Sequence, residues 1–265
     1  MIDVQTCKHL NGAYGEWPIW MHLFVRYRDT LQPRQHWPDR PLHYYDDKEL
    51  QELVLLPFRV DRAWTTDNLA PTSLKSFSVD KGQCHPVGAL IIRGGRWFLL
   101  GNQQGDILYC DLEASDIRAR VLIPCPYESD SLRVFTRFAI DMDEEAPYLG
   151  FNLALVADCP ALEKITSTGP FLGRRPFQVW KITAIPDPQG RVADLRPEKL
   201  VSFCEEPESV LESLSLRGNL LAYARRGQNF AAILDWTLAE QAMRMRRVIT
   251  EDLDVRNPHF DVYAR

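Results

Sequence analysis

The chain has 265 residues, 45% of them apolar and 25% charged, a composition that supports a folded core and excludes a disordered chain. With 36 acids against 31 bases the formal charge is −5, so no net positive field gathers phosphates and nucleic acid is not an expected partner. The six cysteines (Cys7, Cys84, Cys110, Cys125, Cys159, Cys204) stand singly, without the close spacings that a zinc site or a redox dithiol needs, and read as reduced, mostly buried thiols. The start of the chain shows no basic patch leading into an apolar run, and no segment approaches the roughly 18 to 20 apolar residues of a membrane span. The expected location is cytoplasm or nucleus, with no membrane partner.

In chain order, the first dense segment is "TCKHLNGAYGEWPIW" at 6–20, which places two tryptophans and a cysteine within fifteen residues. Next, "DDKELQELVLL" at 46–56 puts Leu50, Leu53 and Val54 at offsets of three and four, with Asp46 and Glu49 spaced for a capping box, and predicts a helix. Pro57 lacks a backbone donor and is expected to end or kink it. The polar stretch "TTDNLAPTS" then suggests a boundary near residue 72.

Beyond that boundary the pattern changes to short apolar runs separated by Gly, Asn, Asp and Pro, the vocabulary of antiparallel β structure. "GALIIRGGRWFLLGNQQGDILYCDL" reads as three strands joined by a Gly-Gly turn and a Gln-Gly-Asp turn. "ESLSLRGNLLAYARRGQNFAAILDW" repeats that layout 124 residues later, aligning Leu90 with Leu214, Arg93 with Arg217, Gly94 with Gly218 and Asp111 with Asp235. Three units of about 41 residues fill such an interval, close to the roughly 40 to 45 residues of a four-stranded propeller blade. Between the two copies, "FNLALVAD" and "FQVWKITAI" look like neighbouring strands parted by a long insertion. Trp180 and Trp236 then fall at or just after the end of an outer-running strand, filling the wedge between blades, or else are core tryptophans of another β fold. On this count about four blades follow residue 73, and "RRVITEDLDVRNPHFDVYAR" reads as the start of a further unit.

Candidates for catalysis are few. Asp141, Asp143, Glu144 and Glu145 form an acidic cluster beside Pro147, which reads as a solvated loop and lacks the glycine and distal glutamate of a calcium loop. The six histidines include no HxxxH pair, and no GxSxG, GxxxxGK[ST] or GxGxxG occurs. "RGGR" at 93–96 reads as a hairpin turn and "MRMRR" at 243–247 as a solvated basic face. The expectations are no enzyme activity, no metal and no cofactor.

The opening segment resembles the second half of an F-box. Cys7 and Lys8, then Leu10, then Ile19 and Trp20 follow that module's closing pattern of Cys, a basic residue, a bulky residue, and finally an apolar residue with Trp. The family's opening Leu-Pro, spacer and acid have no counterpart before Cys7. The order of the later segments is similar to that of F-box proteins of mushroom-forming fungi, which continue through a Pro-rich stretch and a helix into a WD40-like region. The resemblance implies a mainly β fold: a partial F-box and linker helix over 1–72, then a WD40-like β-propeller region over 73–265. It also implies a non-catalytic substrate receptor of a cullin ubiquitin ligase, with Cys7, Leu10, Ile19 and Trp20 on the side that faces or supports the ligase adaptor subunit. The bound target is an unknown protein substrate, and the substrate-binding residues are unknown. The alternative is a propeller-like scaffold or small-ligand-binding protein with a non-functional F-box remnant. A propeller glycosidase is a third reading, needing two carboxylates roughly 5 to 10 Å apart.

Overall fold

Two helices precede a run of strands in a computed structural model that describes residues 17–28, 38–65, 88–127, 134–158, 175–205, 211–225, 231–238 and 247–249. Helix α1 (Trp17–Arg28) carries Pro18 in its first turn, where a missing N–H costs nothing because that donor has no partner within the helix. Helix α2 (Asp47–Thr65) begins at the expected capping box: the Asp46 amide donates to Glu49 Oε2 at 3.0 Å and the Glu49 amide to Asp46 Oδ1 at 2.8 Å. The helix does not end at Pro57, however. It runs on to Thr65, with the Glu52–Arg59 ion pair straddling the proline and Thr65 Oγ1 donating to the Arg62 carbonyl.

The strands form three four-stranded antiparallel meanders, each built from consecutive strands. The first contains β1 (Gly88–Ile91), β2 (Trp97–Gly101), β3 (Ile107–Asp111) and β4 (Arg120–Ile123). The second contains β5 (Phe135–Met142), β6 (Gly150–Asp158), β7 (Arg175–Pro186) and β8 (Val192–Glu205), and the third β9 (Leu211–Arg217), β10 (Leu220–Arg225), β11 (Ala231–Asp235) and β12 (Arg247–Ile249). Among the described residues the chain is therefore mainly β with two α-helices, and no sheet closes on itself.

The internal repeat is visible in the backbone. An offset of 124 carries β3 onto β11 residue for residue and places β1 and β2 within β9 and β10. Gly94 (φ 94) and Gly218 (φ 54) occupy the equivalent hairpin turns, in the left-handed region that favours glycine. Asp111 and Asp235 close the equivalent third strands, each accepting from the amide two residues on.

The middle sheet is covered on both faces because its side chains alternate. Leu153 and Leu155 of β6 join Trp97, Leu99, Ile107 and Tyr109 of the first sheet in one cluster. Ala154 and Val156, pointing the other way, join Phe177, Leu221, Tyr223 and Leu234 in a second cluster shared with the third sheet. Phe177 stacks on Phe203 with ring centroids 5.2 Å apart and meets Tyr223 at 5.1 Å. The first sheet also buries its far face, where Leu100, Leu108 and Cys110 pack with Phe98, Leu112, Ile117 and Ala119.

Three further expectations need correction. Among the described residues the 124-residue interval holds two meanders, β1–β4 and β5–β8, and not three units of about 41 residues, because β5 to β8 are long strands. Arg247–Ile249 does not open a new unit: it pairs with β11 (Ala231 opposite Ile249) and completes the third sheet. Trp180 lies in the middle of β7 rather than at a strand end, opposite Leu153 and Lys199. Trp236 does follow the end of β11, where its indole N–H donates to the Gly218 carbonyl at 2.9 Å.

Candidate interaction surface

The helical pair has a small core of its own. Trp20 and Phe24 on α1 and Leu50 and Val54 on α2 are each spaced i, i+4 and pack together, with Trp20 only 3% exposed. Of the residues expected to meet an adaptor, Trp20 is thus part of the helix–helix core, while its neighbour Ile19 is 37% exposed. Cys7 and Leu10 lie outside the described residues. Other apolar side chains exposed on the pair are Val25 of α1 and Leu56, Phe58 and Val60 of α2.

A polar joint fixes this pair to the sheets. Arg96, in the β1–β2 turn, donates to both carboxylate oxygens of Asp111 (3.0 and 2.7 Å), to Asp39 at 3.1 Å and to the Val192 carbonyl at 2.7 Å, while its guanidinium stacks 4.9 Å from the Trp97 ring centroid. Burial opposes the charge on Arg96, but the surrounding Asp111, Asp39 and Glu113 outweigh it and hold the guanidinium more firmly protonated than usual. Burial likewise opposes ionisation of Asp111, and its hydrogen bonds from Arg96 and the Glu113 amide pull its pKa below the ordinary value.

The segment before α2 supplies the other half of the joint. Tyr45 donates to Asp39 Oδ1 at 2.8 Å and accepts from the Asp39 amide at 3.1 Å; burial first, then the Asp39 charge, pushes its phenol pKa well up. Leu149 donates its amide to the Asp39 carbonyl at 2.8 Å. Tyr44 lies against Gly190, which sits in the β7–β8 turn at a φ of 76, so close that a β-carbon there would come within 2.3 Å of the tyrosine ring.

Turn-to-turn tethers link the sheets at this same end. Arg93 pairs with Glu144 at 3.2 Å and the Gly218 amide donates to Asp141 Oδ2 at 2.6 Å. The acidic cluster is therefore engaged at the end of β5 and in the β5–β6 turn, with Asp143 accepting from the Glu145 amide. Among the described residues no group of three His, Cys, Asp or Glu side chains is placed to hold a metal, and no helix is long and apolar enough to cross a membrane.

Two surfaces result. At the helical end a cleft of about 460 Å³ opens between α2 and the first sheet, lined by Arg40, Lys48, Glu52, Leu56, Arg96 and Glu113 among others. Because antiparallel turns alternate between ends, the β2–β3, β4–β5, β6–β7, β8–β9 and β10–β11 connections all leave the opposite end. Sequence reasoning recognised "RGGR" as a turn but missed the joint, because nothing local distinguishes Arg96 from Arg93: its partners lie 15, 57 and 96 residues away. Searches with protein-family models and against curated proteins found no match to this chain.

Proposed function

We propose that this protein is a non-catalytic substrate receptor of a cullin ubiquitin ligase, whose helical start docks on the adaptor subunit and whose WD40-like sheets hold a target protein. The observation that carries the reading is the joint: the helical pair is clamped by Asp39, Arg96 and Tyr44 to one end of a series of four-stranded meanders. A receptor needs such an arrangement, because two partners must be held at a fixed separation and their sites must not overlap. The opposite end, with its five connections, is the face assigned to the target, since loops vary there without disturbing the sheets beneath.

Adaptor docking belongs to exposed apolar side chains on the helices, and Ile19 and Val25 are the test positions. Co-expression with the ligase adaptor subunit should recover it with the wild-type chain. Ile19→Glu should lower recovery at least tenfold without lowering the melting temperature, whereas Trp20→Ala should lower both, because it opens the helix–helix core. A wild-type chain that never recovers the adaptor would retire the receptor reading.

A further inference from the structure

The helical pair has its own core, and among the described residues none of the buried apolar side chains of α1 or α2 belongs to a cluster of the sheets. The stretch before α2 is part of that helical unit. Leu42 and Tyr45 pack on the helical core, the Trp17 indole N–H donates to the Tyr45 carbonyl at 3.1 Å, and Arg40, 4.3 Å from the Tyr45 ring centroid, pairs with Glu49 at 2.7 Å. Asp39 and Tyr44 of the same stretch reach out to the sheets instead. Asp39 takes Arg96 on its carboxylate at 3.1 Å and the Leu149 amide on its carbonyl at 2.8 Å, while Tyr44 sets its ring against Gly190, with its centroid 6.3 Å from that of Tyr148. Helix α2 itself stands off, because a cleft of about 460 Å³ separates it from the first sheet. The two anchors are cheap to part. Asp39 keeps the Tyr45 hydroxyl at 2.8 Å, and Arg96 keeps both oxygens of Asp111 and the Val192 carbonyl, so neither charge is left without a partner. Tyr44 is already 42% exposed, so its release uncovers little further apolar area.

We infer that α1, α2 and residues 39–46 form one rigid unit latched to the sheets at Asp39 and Tyr44, and that this unit swings free as a whole while both cores stay folded. Opening of this kind is sub-global, lying between fraying and full unfolding in free energy. The latched state is the ground state and fixes the distance between the helical face and the connections at the far end. The released state frees that distance, so a partner that binds the helices better away from the sheets shifts the balance toward release. The inference rests on the joint alone and holds for a receptor and for a scaffold alike.

The Leu149 amide reports the latch, because its acceptor lies on the other side of it. Amide exchange on the full chain in rising urea should show Leu149 opening about tenfold or more often than the amides of β6, with a shallower urea slope because release exposes less surface than unfolding. The Leu50 and Val54 amides, which stay bonded in the released unit, should not share that opening. Distances are read from spin labels on keto amino acids placed at Lys48 and Glu113, both exposed. The wild-type chain should give a single distance. Asp39→Asn with Tyr44→Ala should add a longer one in about a tenth of the molecules or more, with helical ellipticity unchanged. Gly190→Ala, whose β-carbon would meet the Tyr44 ring at 2.3 Å, should populate the same longer distance, whereas Tyr44→Phe, which keeps the ring in place, should match the wild type. A Leu149 amide that exchanges with the free energy and urea slope of β6 would overturn the inference. So would a double variant that keeps the single wild-type distance, or a longer distance that appears only with loss of helical ellipticity.

Discussion

A single guanidinium shows how much of this molecule is decided by side chains far apart in the chain. Arg96 joins the pre-helical segment through Asp39, the end of β3 through Asp111 and the start of β8 through the Val192 carbonyl, so removing it leaves two part-buried carboxylates without their counter-ion. Arg96→Ala should destabilise the protein by about 2 to 4 kcal/mol, with Arg96→Lys recovering only part because an ammonium cannot span both Asp111 oxygens. Chemical denaturation of the three proteins checks this. The same joint sets the pH dependence. Asp111 has a depressed pKa in the folded state, so its contribution is complete at neutral pH and is lost as the pH falls below the ordinary carboxylate range of about 4 and through the folded value. Tyr45 and Tyr109 are raised, chiefly by burial and then by Asp39 and Asp194, so they stay protonated in the folded state while the unfolded chain ionises. Their contribution is therefore complete below pH about 10 and fades above it. Stability measured against pH should fall on both limbs; Asp111→Asn should flatten the acid limb, and Tyr45→Phe with Tyr109→Phe the alkaline one.

Among the elements, α2 shows what a sequence reveals and what it hides. Its start was legible because a capping box is a local device: Asp46 and Glu49 need only each other's backbone amides. Its end was not, because Pro57 is a local signal that longer-range terms outvoted. The first half is held by Leu50 and Val54 against Trp20 and Phe24, and that anchored half carries the helix across the proline into a stretch where Phe58 stays 47% exposed. The proline still removes one helical hydrogen bond and crowds the preceding turn, so Pro57→Ala should stabilise α2 by about 1 to 3 kcal/mol and increase helical ellipticity. Asp46→Ala should cost about 1 kcal/mol through the lost cap, read from the same melting curves. The β hairpins were legible for the same reason as the cap: Gly94 and Gly218 announce turns that a side chain would strain. Gly190 was not read from the sequence, since its need for glycine comes from the distant Tyr44 ring as well as from its own turn. Trp180 was misplaced within its strand because β7, at 12 residues, is longer than the apolar run that flagged it.

For the molecule as a whole, the order of the sheets along the chain is also their order in space, and the middle one carries the load from both sides. Its β6 has Leu153 and Leu155 in one core and Ala154 and Val156 in the other, whereas the third sheet turns Leu216, Leu221 and Leu234 to a single cluster. The first sheet covers its far face with Leu112, Ile117 and Ala119 of its own β3–β4 connection, whereas the middle sheet packs on a neighbouring sheet at both faces, so amide exchange should be slowest in β6 and β7, approaching the rate set by global unfolding. The amides of β1, at a sheet edge with Ile91 exposed, should exchange faster through local opening. Leu153→Ala, which leaves a cavity between the first two sheets, should cost about 2 to 5 kcal/mol and speed exchange throughout β5 to β8 by the same free energy. Leu220→Ala, on an exposed position of β10, should leave those rates within a factor of about 3, as surface substitutions do. Hydrogen exchange followed by mass spectrometry resolves these segments. Uniform protection across all three sheets, or a Leu153→Ala effect confined to β6, would show that the middle sheet is not the shared cooperative unit that its two-sided packing implies.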